Sequence, residues 1–297
     1  MANVKPVRTA VILAAGLGTR MLPATKAVPK ELLPVFDTPL IQLTVEEAVA
    51  SGIRRIVFVI AEGKEAIREH FAPNGRVVRW LRERGQHALA DVVERPAHLA
   101  EYAFAWQDAP LGIAHAVRCA REYISEEPFL LMFPDDLILS QRPCAAQLVE
   151  AYEHTGGTVI AVHEVPRADI PQYGIVAPDG EGNPVRLRAV VEKPPPERAP
   201  SNLGIVGRYV LSETILDHID RIKPGAGGEL QITDAIASQI AAGEPVYALR
   251  YEGERFDTGR PAGWLAASVA MALRRPEARP LVVEHLTRLL GEWGNTP

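Results

Sequence analysis

The chain has 297 residues, 47% of them hydrophobic and 23% charged, the proportions of a soluble globular protein with room for one large α/β domain or two ordinary ones. A formal net charge of −5 excludes a broad basic face for nucleic acid, yet it leaves room for a nucleotide, which needs only a few local cations. No apolar run approaches the roughly 20 residues of a membrane span. Met1 to Arg8 has no signal-peptide core, and Cys119 and Cys144 show neither a disulfide framework nor a metal spacing, so the expected location is cytoplasmic.

The elements follow in order. Ala10 to Leu13 is branched and apolar, a buried strand, and it opens through Ala14-Ala15-Gly16-Leu17-Gly18-Thr19-Arg20 into a small-residue loop that lets backbone approach a ligand. Thr38-Pro39 has the form of a helix cap followed by proline at the first helical position, and Ile41, Val45, Ala48 and Val49 recur at helical spacing up to Gly52. Ile53 to Ala61 reads as a second buried strand and Glu65 to Phe71 as a helix. Strand, loop, helix, strand, helix predicts a parallel sheet. Val77 to Leu81 suggests a helix, Ala90 to Val93 a short strand, and Glu101 to Trp106 a strand that ends in the turn Gln107 to Gly112. A helix stripe (Ile113, Ala116, Val117, Ala120) precedes the apolar strand Phe129 to Phe133, which stops at Pro134-Asp135-Asp136. Ala145 to Tyr152 is helical and Val159 to Val162 a strand.

Beyond Pro166 the texture changes. Tyr173 to Val176 and Pro184 to Val191 form a predicted hairpin with Asp179-Gly180 and Gly182-Asn183 at its turn. Lys193-Pro194-Pro195-Pro196 reads as a surface loop, because strand character resumes at Ile205 to Leu211. Leu230 to Ala242 is a helix closed by Gly243, Val246 to Tyr251 a strand, and Leu265, Val269 and Leu273 mark a further helix. An amphipathic tail runs from Leu281 to Trp293. The expected architecture is α/β: a Rossmann-like, mostly parallel (mixed) sheet with helices on both faces and an inserted β-rich part. One domain spans 1–297, with a nucleotide-binding part over about 1–165, a sugar-phosphate part over about 166–260 and C-terminal helices over about 261–297.

A strand that opens into a glycine loop with cations at Arg20 and Lys30 is a way to hold a polyphosphate. Gly16-x-Gly18 alone is also an ordinary turn, since Met21 stands where a dinucleotide fingerprint needs its third glycine and no Gly-Lys-Ser/Thr follows. Open parallel sheets bind ligands at the carboxyl ends of their strands. Asp135 is well placed there to hold Mg²⁺, which takes one or two carboxylates plus phosphate oxygens, although an Asp-Asp pair is also a common turn. The eight histidines lack a zinc spacing, and no Gly-x-Ser-x-Gly elbow occurs. His115 stands behind the Gln107 to Gly112 turn as a support for it, and Cys119 on the same helix reads as core.

The stretch Gly16 to Pro34, with Arg20, Lys26, Pro29, Lys30 and Glu31, resembles the sugar-1-phosphate nucleotidylyltransferases, and Thr25-Lys26-x-x-Pro29-Lys30-Glu31 is most similar to the bacterial UTP–glucose-1-phosphate uridylyltransferases. The resemblance runs from about Ala10 to Trp264. It implies transfer of a uridylyl group from UTP to α-D-glucose 1-phosphate, giving UDP-glucose and pyrophosphate, with Mg²⁺ on Asp135 and on Asp257 of Phe256-Asp257-Thr258-Gly259. Arg20 and Lys30 are then catalytic. Ala14, Ala15, Gly16, Gly18, Thr19, Glu31, Gln107 and Gly112 hold the nucleotide, and Tyr173, Gly174, Glu192, Lys193 and Ile205 hold the sugar phosphate. Gln107 is the base reader, because an amide offers one donor and one acceptor; a rotated amide fits cytosine as well, so backbone groups of Ala14 or Gly112 are needed to reject it. A homo-oligomer, dimer or tetramer, is expected, without nucleic acid or membrane partners. Two alternatives stand beside this reading: a nucleotidylyltransferase for dTTP or another sugar, and a non-catalytic nucleotide sensor. Three departures from the resembled pattern stand out: Leu111 and Ala114 where lysine and glycine are usual, a short 72–99 region, and Arg260 where asparagine often follows the glycine.

Overall fold

The computed structural model describes residues 4–124 and 127–294. The chain runs β1 (Thr9–Leu13), the two-residue strands β2 (Pro34–Val35) and β3 (Thr38–Pro39), α1 (Leu40–Ala50), β4 (Arg55–Ile60), α2 (Glu65–His70), α3 (Arg76–Glu83), α4 (His87–Glu94), β5 (Glu101–Trp106), α5 (Ile113–Cys119), α6 (Arg121–Ile124), β6 (Phe129–Met132) and β7 (Asp136–Leu139). It continues with α7 (Cys144–Thr155), β8 (Thr158–Glu164), β9 (Gly174–Pro178), β10 (Val185–Glu192), β11 (Leu203–Leu211), α8 (Ile215–Arg221), α9 (Ile232–Ala241), β12 (Val246–Arg250), β13 (Glu254–Asp257), α10 (Pro261–Arg274) and α11 (Arg279–Gly294).

Nine strands form one sheet in the order β5-β4-β1-β6-β11-β8-β12-β10-β9. β5, β4, β1 and β6 are mutually parallel, as are β8 and β12, while β11 and β10 run against their neighbours. The expected mostly parallel, mixed sheet is therefore present. Alternation along β1 explains the layers. Val11 packs on one face with Ala116 and Val117 of α5, Ile219 of α8 and Ile236 of α9. Ala10 and Ile12 pack on the other with Ile41 and Val45 of α1 and Leu148 of α7. Each wholly buried aliphatic side chain contributes about 1.5–3 kcal/mol, so the central strands are held from both sides. Their shared direction gathers the chain segments after β1, β4, β5 and β6 at one edge.

Two local expectations need correction. Ala90 to Val93 is not a strand but lies within α4, where Ala90 and Glu94 are buried one helical turn apart while Val92 and Val93 are exposed. Ala90 packs on Val78 and Leu81 of α3. Thr38 does not cap α1: its hydroxyl donates to Asp37 Oδ1 (2.8 Å), and the first helical amide, Leu40 N–H, donates to the Leu33 carbonyl at 3.1 Å through the β2–β3 turn. Asp257 lies outside the main sheet. It ends β13, which pairs antiparallel with β7 in a separate ribbon whose register sets Asp257 opposite Asp136. The hairpin β9–β10 is as expected, and β9 also touches β11 through Gly204 and Ile175. Among the described residues no helix is long and apolar enough to cross a membrane.

Candidate active site

Two joined lobes open along the carboxyl edge of the sheet. One, of about 250 Å³, is lined by Ala15, Gly16, Lys30, Glu31, Gln107 and Gly112. The other, of about 500 Å³, is lined by Arg20, Tyr173, Gly174, Glu192, Lys193, Ile205 and Asp257 among others. Ile113, Phe133, Asp135 and Glu229 line both. Of the residues assigned to the nucleotide, Ala15, Gly16, Glu31, Gln107 and Gly112 line the smaller lobe, while Ala14, Gly18 and Thr19 line neither; Tyr173, Gly174, Glu192, Lys193 and Ile205 all line the larger, and the lobes meet at Asp135.

The glycine loop supplies the first wall. Gly18 has φ +68°, a conformation open to glycine, and a side chain there would press on Lys30 Cβ at 3.2 Å. The Gly18 carbonyl accepts the Thr25 hydroxyl at 2.9 Å, which folds the 18–30 segment back on itself. Lys30 is thereby aimed at Asp135, with Nζ 2.6 Å from Oδ2. Ala14 is wholly buried and its amide is spent on the Val59 carbonyl, so Ala15 and Gly16, rather than Ala14, face the cavity. Thr19 is exposed and lines neither lobe.

Charge compensation organises the centre. Burial pulls the Lys30 pKa down, but Asp135 and Glu31 together raise it above the ordinary value. Burial pushes the Asp135 carboxyl up, and the Lys30 ammonium, its hydrogen bond and Arg20 more than reverse this, so Asp135 lies below the ordinary carboxylate range. Arg20 spans both acidic groups, 3.8 Å from Asp135 and 4.0 Å from Asp257. The two carboxylates do not face each other bare, as an unscreened pair would. A Cβ on Gly259 would lie 2.9 Å from Arg20 Nη2, 3.0 Å from Asp135 Oδ2 and 3.1 Å from Asp257 Oδ1, so the absent side chain leaves a small cradle bordered by the guanidinium and both carboxylates. Thr258 ties the two loops, its amide (2.8 Å) and hydroxyl (3.0 Å) both donating to the Asp135 carbonyl.

Asp136 has a different environment from Asp135. It accepts the Gly207 amide at 2.7 Å and the Arg255 Nε at 2.6 Å, and Arg255 also donates to the Tyr173 hydroxyl at 3.0 Å. This brace seats Tyr173 on the wall of the larger lobe. Gly174 is packed so tightly that a Cβ would meet Thr233 Cγ2 at 2.9 Å and Ile205 Cδ1 at 3.2 Å. Glu192 accepts the Thr233 hydroxyl at 2.9 Å and faces Lys193 Nζ at 3.2 Å.

In the smaller lobe Glu31 is wholly buried and paired with Lys64 at 2.7 Å. Burial raises its pKa against the pull of Lys64 and Lys30. Its other oxygen, Oε1, has no protein partner among the described residues. Gln107 Nε2 contacts the Gly112 carbonyl (3.3 Å) and His115 Nδ1 (3.1 Å). Gly112 has φ +103°, and a Cβ there would strike the Leu230 carbonyl at 2.6 Å. The loop is stitched to Leu230 by Leu230 N–H to the Leu111 carbonyl (2.8 Å) and Ala114 N–H to the Leu230 carbonyl (2.9 Å). Main-chain atoms do this work, so Leu111 and Ala114 leave the turn intact.

Sequence reasoning missed Lys64, Glu229, Thr233, Arg255 and the Arg260 contact with Asp257 at 3.3 Å. Arg255 carried no signal, because Glu254-Arg255-Phe256-Asp257 holds a single apolar residue and no alternation. Lys64 carried none, since a lone lysine in a turn reads as solvated.

Comparison with known proteins bears on this geometry. The model of the nucleotidyl transferase family matches residues 9–273. The chain is 41% identical over 289 residues to a UTP–glucose-1-phosphate uridylyltransferase of Bacillus subtilis (strain 168), covering 97% of this chain and 99% of that protein. It is 41% identical over 286 residues to the protein of the same name from Staphylococcus haemolyticus (strain JCSC1435), covering 96% and 99%. Among solved structures, UTP-bound UGPase from Acinetobacter baumannii matches with a TM-score of 0.87 at 33% identity, covering 95% of this chain and 99% of that one. A UDP-glucose pyrophosphorylase complexed with UDP-glucose matches at 0.81 and 31%, covering 91% and 100%. With a family model across most of its length and full-length relatives above 40% identity, the chain belongs to the nucleotidyl transferase family.

Proposed function

We propose that this enzyme transfers the uridylyl group of UTP to α-D-glucose 1-phosphate, releasing pyrophosphate and forming UDP-glucose. The observation that carries the reading is the junction at Asp135, where a lobe holding Lys30 and Gln107 meets a lobe holding Lys193 and Tyr173 with Arg20 between the two acidic groups. The names of the uridylyltransferase relatives and the UTP-bound structural neighbour support the choice of nucleotide.

The chemistry needs no covalent intermediate, since the sugar phosphate brings its own nucleophilic oxygen. The protein's task is to hold two polyanions against their repulsion and to stabilise charge as pyrophosphate departs. Lys30 meets the α-phosphoryl group, Arg20 the leaving β- and γ-phosphates, and Lys193 the incoming phosphate. Ala15, Gly16 and Gly18 let the phosphates approach the backbone. Glu192, Gly174 and Ile205 shape the sugar lobe, and Glu31 and Gly112 shape the nucleotide lobe. Asp135 and Asp257, two hard carboxylate donors that border the Gly259 cradle together with the Arg20 guanidinium, would hold Mg²⁺. Among the described residues no group of three or more His, Cys, Asp or Glu side chains is placed to hold a metal ion. Bound to Asp135 and Asp257, Mg²⁺ supplies charge neutralisation on the phosphate oxygens.

The reading extends to a single domain with the nucleotide part before about residue 165 and the sugar part after it, located in the cytoplasm. It includes a homo-oligomer, supported by exposed Leu265, Leu281, Leu289 and Leu290 on α10 and α11. The test is pyrophosphate release across UTP, dTTP, CTP, GTP and ATP, each with several sugar 1-phosphates. UTP with glucose 1-phosphate is expected to give the highest kcat/KM. A higher value with dTTP or GTP would place the error in the base assignment, and no turnover with any pair would leave a nucleotide sensor.

A further inference from the structure

We infer that His115, acting with the Gly112 carbonyl, locks the Gln107 amide in one orientation, so that the smaller lobe presents a fixed hydrogen-bond acceptor that favours uracil over cytosine. This deepens the uridylyl-transfer reading and rests on it.

The argument begins with the Gly112 carbonyl, which accepts and never donates. The amide group 3.3 Å from it must present nitrogen, because the opposite orientation would set two acceptor oxygens against each other. That carbonyl cannot turn away: Gly112 is wedged on Leu230, Leu111 and Ala114 are hydrogen-bonded to Leu230 at 2.8 and 2.9 Å, and the carbonyl itself accepts the Ala116 amide at 3.1 Å. The second amide proton goes to His115 Nδ1 at 3.1 Å, which requires Nδ1 to be unprotonated and puts the ring proton on Nε2, 4.0 Å from Cys119 Sγ. Burial, helped by Arg118, lowers the His115 pKa, which keeps the ring neutral. Both donors of Gln107 are then spent, and its Oε1 is the atom left for the cavity that the residue lines.

Uracil has one donor on its pairing edge, N3–H; cytosine has a lone pair at that atom. A wall acceptor seated on N3 therefore binds uracil and repels cytosine, whereas a freely rotating amide would serve either base. Position along the sheet assigns this task to Gln107 rather than Glu31. Gln107 follows β5, three strand spacings from β6 and its Asp135, roughly 14 Å. Glu31 adjoins Lys30 at the phosphate end. Thymine shares the N3–H, so the lock bears on cytosine and not on thymine. His115 touches no substrate in this account; it is a positioning residue.

The experiment measures kcat/KM for UTP and for CTP, with glucose 1-phosphate, in the wild-type enzyme, His115→Leu and His115→Asn. Leucine removes the acceptor while filling the space, and the UTP-to-CTP ratio is expected to fall about fivefold, the worth of one ordinary hydrogen bond. Asparagine can offer a side-chain oxygen near the Nδ1 position and should restore most of the ratio. In parallel, ¹⁵N spectra of the wild-type protein should show His115 as the neutral Nε2–H tautomer, a readout that survives if a variant fails to fold. An unchanged ratio in a folded His115→Leu enzyme, or an Nδ1–H tautomer, overturns the lock while leaving uridylyl transfer standing. A wild-type enzyme that prefers another nucleotide to UTP overturns uridylyl transfer itself.

Discussion

Asp135 and Asp257 share one proposed task, yet their surroundings predict unequal effects on stability when the metal is withheld. Asp135 is 20% exposed and bonded to Lys30, itself 18% exposed, at 2.6 Å. Asp135→Asn leaves a mostly buried ammonium facing a neutral amide. Hydrogen bonds to charged groups contribute about 1.5–3 kcal/mol, and breaking a fully buried pair costs about 3–5. The residual exposure argues for the lower range, so a loss of about 1.5–3 kcal/mol is expected. Asp257 is 33% exposed, and its cations stand at 3.3 Å (Arg260) and 4.0 Å (Arg20), so Asp257→Asn should cost about 0–1 kcal/mol. The assay is urea unfolding in EDTA at pH 7.5, paired with Mg²⁺ titrations of the rate. In the titrations both variants should need more metal for half-maximal turnover, and the double variant should be little worse than the worse single one. Asp135→Asn equal to or more stable than wild type without metal would refute the reasoning: the carboxylates would then repel each other more than the cations hold them.

Three further outcomes are expected. Arg20→Ala and Lys30→Ala should each lower kcat by about 10²–10³-fold, as loss of one electrostatic stabiliser does, and near-normal turnover in steady-state assays would return them to solvated loop charges. Lys193→Ala should raise KM for glucose 1-phosphate while calorimetric UTP affinity holds; equal loss of both would contradict the division into two lobes. The Glu244 carboxyl is pushed up by burial but lowered further by hydrogen bonds from His218 and Thr214, so its folded pKa lies below the unfolded one. Its stabilisation is then complete above the unfolded pKa and fades as pH falls through the folded value. Glu244→Gln should flatten the acid side of the stability curve, and identical thermal unfolding profiles from pH 6 to pH 3 would count against this.

The parallel core was legible because its strands are runs such as Ala10 to Leu13 and Phe129 to Phe133, buried on both faces and hence continuously apolar. The loops that follow them were legible for the same reason: strand ends and site coincide in such sheets. The β7–β13 ribbon was not, because four-residue strands carry too little periodicity and their pairing is wholly non-local. The α4 helix was misread because Leu89, Val92 and Val93 are exposed apolar residues, and only its partner α3 shows that Ala90 is the buried one. Within the site, Gly16, Lys30 and Asp135 could be chosen by chemistry. The fixed orientation of Gln107 could not, because it depends on a carbonyl and a ring nitrogen that no residue name reveals.

The β7–β13 ribbon also bears on when this chain becomes an enzyme. Asp135 is delivered by β6, which lies inside the nine-stranded sheet against β1. Asp257 arrives only when β13 finds β7, and those two strands form a ribbon by themselves outside that sheet. A two-stranded ribbon is marginal alone, so it needs the sheet that positions β7 to be in place first. The expected order is a structured but inert intermediate whose acidic pair is still incomplete, followed by ripening when the ribbon zips. Pulse-labelled hydrogen exchange in which the amides of β13 gain protection as early as those of β1 would reverse that order. A chain released before residue 254 could carry a formed glycine loop and its cations, and so hold a phosphate it cannot turn over.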